Sequence, residues 1–527
     1  MNFLHKFNFK TTYQWRQWHA YFLIALAAVI VYGQSLFFDY SYFDDQQLIL
    51  ENAAILERAE PAEIFFNDVF FGQNKFYYRP LLTWSLVWDW HWGGGTVFAF
   101  HFSNIIFHFL AASLLFYLLR LIFVKADSAL VLTLIFTVHP ALTQAVAWIP
   151  GRNDVLAAIF IFSALIFLSR WFRRERLLDL ICLWLFFLLA LFTKETTALL
   201  PFLALLWVIV FERQHFTWFK LGLSAAGATV AGIIWYLARL AALGPTVSGS
   251  IWSSLLTSLT TPVVFLGKVF FPVNLSVYPV AQDVIWFYGI LAVILLAFLF
   301  YSARVKKYGP SLFGLLWFWF FIMLGSSRPD GDIFRNFMEH RLYVPMLGLL
   351  IVLAETDNFW RHWPLQRRRQ LLAALLFLLS FLAWRHSNNF RDRFSFWQQA
   401  TESSPHAALA WRNLGAMHYL DGDLAKAENY FRQSLLLNDQ EPMAHNNLAV
   451  VYLDRGDLWR AEAELKKELA INPGYDLALY NLGRVYYEKQ RYLEAASLWR
   501  EVLRVNPYHQ AAAQKLQAVQ LKIQTQN

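Results

Sequence analysis

The chain carries a single cysteine in 527 residues, Cys182, set inside an apolar run. That excludes an intrachain disulfide and any metal site built on several thiolates. Charge is scarce as well. Only 16% of residues are charged, where a soluble globular chain carries about 25%. Hydrophobic residues make up 57% and aromatics 18%, and this surplus must face lipid. The expected fold is all-α, a polytopic membrane bundle, because a lipid-exposed backbone must satisfy its own hydrogen bonds. The chain is too long for one domain. In a membrane protein Lys and Arg mostly report topology, so the net charge of +8 predicts no nucleic-acid partner. A small-residue cleavage site is missing too. After Lys6, Lys10 and Arg16 the apolar run from Tyr21 meets Tyr32, Phe37 and Phe38, which reads as a retained first span.

Stretches near the roughly 20 apolar residues of a span fall at 19–37, 101–122, 128–148, 154–170, 177–193, 196–211, 218–241, 284–302, 311–325, 342–356 and 370–385. These amount to about 11 spans. Segment 251–271, broken by Pro262 and crowded with Ser and Thr, is expected to lie in the interface or re-enter. With a cytoplasmic N-terminus, the basic clusters at Arg170–Arg176, Arg304–Lys307 and Arg361–Arg369 then all become cytoplasmic. Five segments fall together on the opposite face: 39–100, the turn after His139, Lys194–Glu195, 242–283 and 326–341. This divides the chain into a membrane domain at 1–386, with 39–100 as its first external loop, and a lead-in helix at 387–407.

Beyond that the composition becomes that of a soluble helical protein. Asn413-Leu414-Gly415 returns as Asn447-Leu448-Ala449 and Asn481-Leu482-Gly483, each 34 residues on. Ala427, Ala461 and Ala495 keep the same interval, and Gly422 and Gly456 mark turns between paired helices. The period is that of tetratricopeptide repeats, an α-solenoid with small residues where helices pack closely. Three repeats are expected at 408–509, and a capping helix and tail at 510–527.

Polar residues in the membrane part deserve individual reasons. Asp44 and Asp45 follow the first span. They suit either a helix cap or a general base or metal ligand, with Asp68 in the same loop. Arg79 precedes Pro80 and a Trp-rich helix, as an interfacial anchor or a fork on a phosphate. Arg152 and Asp154 suit mutual pairing or a site; His139, before Pro140, sits at a break in a span. Lys194 and Glu195 interrupt an otherwise continuous apolar stretch, and Lys194 suits an anionic headgroup. Glu339, His340, Arg341 and Tyr343 precede the penultimate span, as a polar loop end or a phosphate contact. Cations beside carboxylates fit a lipid-linked sugar phosphate and an acceptor hydroxyl.

As a set, several motifs bear a resemblance. They include Phe43-Asp44-Asp45, Asn67-Asp68, Tyr78-Arg79-Pro80-Leu81, His101 with Asn104 and His108, and His139-Pro140. Gly151-Arg152 with Asp154, Phe192 with Lys194-Glu195, and Arg341-Leu342-Tyr343-Val344-Pro345 complete the set. The chain resembles the transmembrane-and-tetratricopeptide-repeat O-mannosyltransferases and their bacterial relatives, of the GT-C glycosyltransferase class. The resemblance implies inverting transfer of a sugar, typically mannose, from a polyprenyl-phosphate donor to a protein hydroxyl. It implies Asp44 as base, Asp45 as an orienting carboxylate, and Arg79, Arg152, Lys194 and Arg341 as phosphate-neutralising cations. Asp68, His139, Asp154, Glu195, His340 and Tyr343 are the expected supporting residues. No cofactor is expected, and a divalent metal at Asp44, Asp45 and Asp68 is not favoured. Gln144 stands where relatives often carry Glu. The partners implied are the lipid donor, membrane lipids and an acceptor protein recruited by the repeats. A bacterial inner membrane with periplasmic repeats is favoured over the endoplasmic reticulum. Transfer to a lipid or envelope glycan, and a non-catalytic membrane-anchored scaffold, are the alternatives.

Overall fold

The computed structural model describes residues 5–71, 77–122, 126–245, 256, 258–304, 308–326, 337–356, 359 and 363–526, with side chains from Trp18. Most of loop 326–341, residues 251–255 and 257 of the ambiguous segment, and the cations Lys306, Lys307 and Arg361 lie outside the described residues. All regular structure among these residues is helical. The chain divides into two compact units, Met1–Phe396 and Trp397–Asn527. The division falls inside the stretch expected as a lead-in.

Among the described residues of the first unit, seven helices are long and apolar enough to cross a bilayer: Trp18–Phe37, Val97–Ile122, Ile149–Arg174, Trp218–Leu243, Trp286–Ala303, Tyr308–Ser326 and Leu365–Phe390. A further apolar pair, Ala126–Thr137 with Pro140–Ala147, is bent by 57° at its break, as in a broken span or a re-entrant loop. Pro140 lacks the amide that would continue the first helix, and the break follows. The remaining stretches of the sequence reading are shorter apolar helices: Leu177–Thr193, Glu195–Phe211 and Met346–Glu355. Thr261–Phe270 holds 10 residues, about 15 Å of helix, half the hydrocarbon thickness.

Two features set where polar chemistry is possible. The helix Ile149–Arg174 is the most enclosed of the seven, so its polar residues need internal partners. At its far end the basic run is partly neutralised, with Arg170 paired to Asp179 at 2.9 Å, Arg173 to Glu212 at 2.7 Å and Glu175 to Lys220 at 2.6 Å. Lipid-facing residues such as Phe22, Phe202, Ile233 and Phe298 remain exposed, which identifies an integral membrane protein rather than a soluble core.

The second unit is three helical pairs and a cap: Ala408–Leu420 with Leu424–Leu437, Ala444–Asp454 with Leu458–Ile471, Asp476–Glu488 with Tyr492–Val505, then Gln510–Gln526. Gly422 and Gly456 sit at φ +82° and +75° in the turns, a conformation that costs glycine nothing. Asp423 and Asp457 then cap the following helices, accepting from Lys426 N and Arg460 N at 3.0 Å. Asn481 donates to Asn446 at 2.9 Å and ties successive repeats.

In the membrane unit, Gly314 and Gly348 let helices Tyr308–Ser326 and Met346–Glu355 touch backbone to backbone. A methyl group at either would overlap the other's carbonyl oxygen. Close approach through small residues is how helices associate in lipid. Gly348→Ala is expected to destabilise by about 1–3 kcal/mol, read as a lowered unfolding midpoint in detergent, whereas Gly222→Ala, in a helix and in open space, does not lower the midpoint.

Candidate functional site

The site is built where the five polar segments meet. Helix geometry does the first sorting. Arg152 and Asp154 open the same helix two residues apart, so their side chains face different ways. They do not pair with each other. Arg152 is fully buried and binds Asp89 Oδ2 through Nη1 at 2.5 Å, while its Nη2 donates to the Phe100 carbonyl at 2.7 Å. Asp154 turns the other way and takes Lys194 Nζ on Oδ1 at 2.6 Å.

A cation cluster surrounds that second pair. Arg79 reaches Glu195 Oε2 through Nε at 3.2 Å, and the Tyr78 amide donates to the other oxygen of Glu195, also at 3.2 Å. The Arg79 guanidinium lies over the Tyr77 ring at 4.4 Å. Burial pushes the Lys194 ammonium below its ordinary range; Asp154 opposes this, and neighbouring Arg79 and Arg341 add to it. Arg79, Lys194 and Arg341 therefore share one field, with Asp154 and Glu195 interleaved.

His340 completes the cluster. Its Nε2 stands 4.0 Å from Asp154 Oδ2, and its backbone and Nδ1 both reach Gln144 Oε1, at 3.0 and 3.2 Å. The Gln144 amide also donates to the Val277 carbonyl at 2.9 Å. Gln144 thus pins three segments together. Trp148 packs against His340 at 5.7 Å between ring centroids and stacks on Phe43 at 5.6 Å. Two ring contacts therefore link Phe43, which precedes the first-loop acids, to the cation cluster.

In that loop the two aspartates part company. Asp45 is buried and accepts from the Ser41 amide at 2.6 Å, the Ser41 hydroxyl at 2.9 Å and the Phe43 amide at 2.9 Å. This clamp holds the turn around Tyr42, whose φ is +56°. Burial raises the Asp45 carboxyl above its usual range against those hydrogen bonds. Its carboxylate makes no bond to the helix that follows, so the cap alternative fails for Asp45. Asp44 is half-buried beside Phe43.

Other expected site residues hold structure rather than the cluster. His139 accepts the Ala141 amide on Nδ1 at 3.2 Å, so Nε2 carries the proton donated to the Val269 carbonyl at 3.0 Å. Tyr343 donates to His108 Nδ1 at 2.6 Å, since His108 Nε2 serves the Thr137 carbonyl. Asp68 lies buried in the turn at 68–71, beside the loop's own apolar core of Ile64, Val69 and Phe70. Glu339 is fully buried and paired with Lys268 at 2.9 Å and His386 at 3.1 Å. Sequence reasoning missed Asp89, Trp148, Lys268 and His386. Asp89 had one signal, a lone carboxylate in a helix of tryptophans.

The family model for the tetratricopeptide repeat matches residues 408–441 and 476–509. The second unit is a tetratricopeptide-repeat array. Among curated proteins, the chain is 31% identical over 150 residues to protein O-mannosyl-transferase tmtc2 of Xenopus laevis, covering 27% of this chain and 18% of that one. It is 34% identical over 155 residues to protein O-mannosyl-transferase TMTC1 of Homo sapiens, covering 28% and 18%. A third relative, TMTC3 of Homo sapiens, is 29% identical over 154 residues, covering 28% and 16%. The matched stretch spans less than a fifth of the length of these curated relatives. The family resemblance read from the motifs is borne out by these matches.

The Arg152–Asp89 pair generates a prediction. Removing one partner strands a buried charge, so Asp89→Ala is expected to cost about 3–5 kcal/mol and to lower folded yield sharply. Arg152→Met combined with Asp89→Leu is expected to be milder than either single change, as measured by detergent-phase thermal unfolding.

Proposed function

We propose that the chain is an integral-membrane glycosyltransferase that moves a sugar, mannose by analogy with the relatives' names, from a polyprenyl-phosphate donor to a hydroxyl of a protein acceptor. One observation carries the reading. Arg79, Lys194, His340 and Arg341 converge from three separate segments, two ring contacts from Phe43, the neighbour in sequence of the half-buried Asp44. Arg79, Lys194 and Arg341 share one field with Asp154 and Glu195 interleaved, an arrangement suited to an anionic phosphodiester. Removed from bulk water, such an array stabilises the leaving phosphate as the glycosidic bond breaks. With the phosphate neutralised by side chains, the reaction calls on no divalent metal.

Asp44 takes the proton from the acceptor hydroxyl, because Asp45 is committed to its turn. Arg152 is left out of the donor site, its guanidinium already spent on Asp89 and Phe100. The lipid tail lies along the apolar groove lined by Leu168, Leu183, Phe187, Leu200 and Ala204, which begins a few residues beyond Glu195. The repeats recruit the acceptor. In topology, the N-terminus is cytoplasmic and the catalytic loops and repeats are extracytoplasmic, periplasmic in a bacterial inner membrane. A scaffold needs one anchor, and seven long apolar helices favour the enzyme over it.

Reconstitution with radiolabelled polyprenyl-phosphomannose tests this directly. Asp44→Asn is expected to abolish transfer, about 10²-fold or more for loss of a general base, with an unchanged unfolding midpoint. Asp45→Asn is expected to lower activity and midpoint together, since an amide nitrogen would face the Ser41 or Phe43 amide. Arg341→Gln is expected to raise the KM for the donor. No transfer by the wild type to any acceptor overturns the proposal, and activity retained in Asp44→Asn overturns the base.

A further inference from the structure

The geometry around Gln144 fixes a proton. The orientation of its amide follows from its partners. A backbone amide can only donate, so the atom facing His340 N is oxygen; a carbonyl can only accept, so the atom facing the Val277 oxygen is nitrogen. His340 Nδ1 lies 3.2 Å from that same oxygen, and an imidazole nitrogen bonds an oxygen acceptor only as N–H. The Nδ1 proton is thereby set. A second proton, on Nε2, would create an imidazolium among Lys194, Arg79 and Arg341 in a largely buried site. Burial, with those cations adding to it, holds the ring well below its ordinary range. The Gln144 amide and the Trp148 ring, on its other sides, add no charge. Among the described residues it is the Asp154 carboxylate that opposes, and Lys194 occupies its other oxygen.

His340 Nε2 therefore presents a lone pair toward Asp154 Oδ2. Two acceptors stand 4.0 Å apart, beyond hydrogen-bond distance and with no proton of their own to share. Such a pair receives a donor from outside. A phosphate oxygen has no proton to give, whereas a sugar hydroxyl does.

We propose that His340 and Asp154 form a sugar-hydroxyl subsite beside the phosphate-binding cations, and that Gln144 is the positioning residue that keeps His340 an acceptor. This rests on the reading of the cation cluster as the donor-phosphate site. It adds a basis for choosing the transferred sugar, by a hydroxyl rather than by the phosphate. A glutamate at position 144 would favour the imidazolium and turn Nε2 into a donor to Asp154, which closes the subsite.

The test is equilibrium binding to the detergent-solubilised full chain with three probes: polyprenyl phosphate without sugar, mannosyl-phosphopolyprenol, and a set of its monodeoxy analogues. The sugar is expected to add about tenfold in affinity over the bare lipid phosphate, and one deoxy position is expected to lose that gain. His340→Phe is expected to bind the intact donor only as well as that deoxy analogue, with bare lipid phosphate unaffected. Gln144→Glu is expected to lose the sugar's gain at about pH 6 and recover it at about pH 8.5, while the wild type holds it at both. Should His340→Phe fail to bind bare lipid phosphate, the Gln144→Glu pH profile decides. A sugar gain indifferent to every deoxy position, or a Gln144→Glu gain that does not depend on pH, overturns the subsite. Wild-type protein that does not bind bare lipid phosphate, or binding untouched by Arg341→Gln, instead overturns the underlying phosphate site.

Discussion

The membrane unit depends on where its buried charges find partners. A cation far from water costs several kcal/mol unless a carboxylate and good hydrogen bonds meet it. The start of the helix Ile149–Arg174 solves this twice in three residues. Arg152 is sent to Asp89, and Asp154 to Lys194, on different faces of one helix. The first pair is sealed and holds the Trp-rich helix Pro80–Gly93 against its neighbours. The second is left beside Arg79, Arg341 and His340, in the candidate site. About half a turn of helix thus separates a sealed structural pair from one that joins the cation cluster.

That division explains how much was legible in the sequence. The repeats were fully visible, because a 34-residue period repeats both the small residues and the turns. The membrane character was equally plain from composition. Span lengths were not: Leu177–Thr193, Glu195–Phe211 and Met346–Glu355 are apolar enough but short, and hydropathy alone does not distinguish a buried short helix from a crossing. Among the site residues, Arg79, Lys194, Arg341, Asp154, Glu195 and His340 come together as their residue types suggested. Arg152, His139 and Tyr343 carry the same polar signal for a different reason, since each satisfies a buried partner. Sequence shows that a polar residue needs a partner, not which partner it has. Asp45 is the sharpest case, for only the geometry of Ser41 and Phe43 separates it from Asp44.

Gln144 shows how a neutral group can matter as much as a charged one. Its amide is locked at both ends, to Val277 and to the His340 backbone. The proton on the neighbouring imidazole is decided by that lock rather than by pH. An isosteric acid would keep the shape and reverse the electrostatics.

The contacts that make the cluster also carry a timetable. Arg79 meets Glu195 across 116 residues, and Gln144 meets His340 across 196. At roughly 5–20 residues per second of synthesis, Arg79 waits on the order of tens of seconds for Arg341 to emerge. Until then the early segments hold only the Arg79–Glu195 and Asp154–Lys194 pairs, without His340 and Arg341. The cluster is therefore complete only once nearly the whole membrane unit has been made and packed.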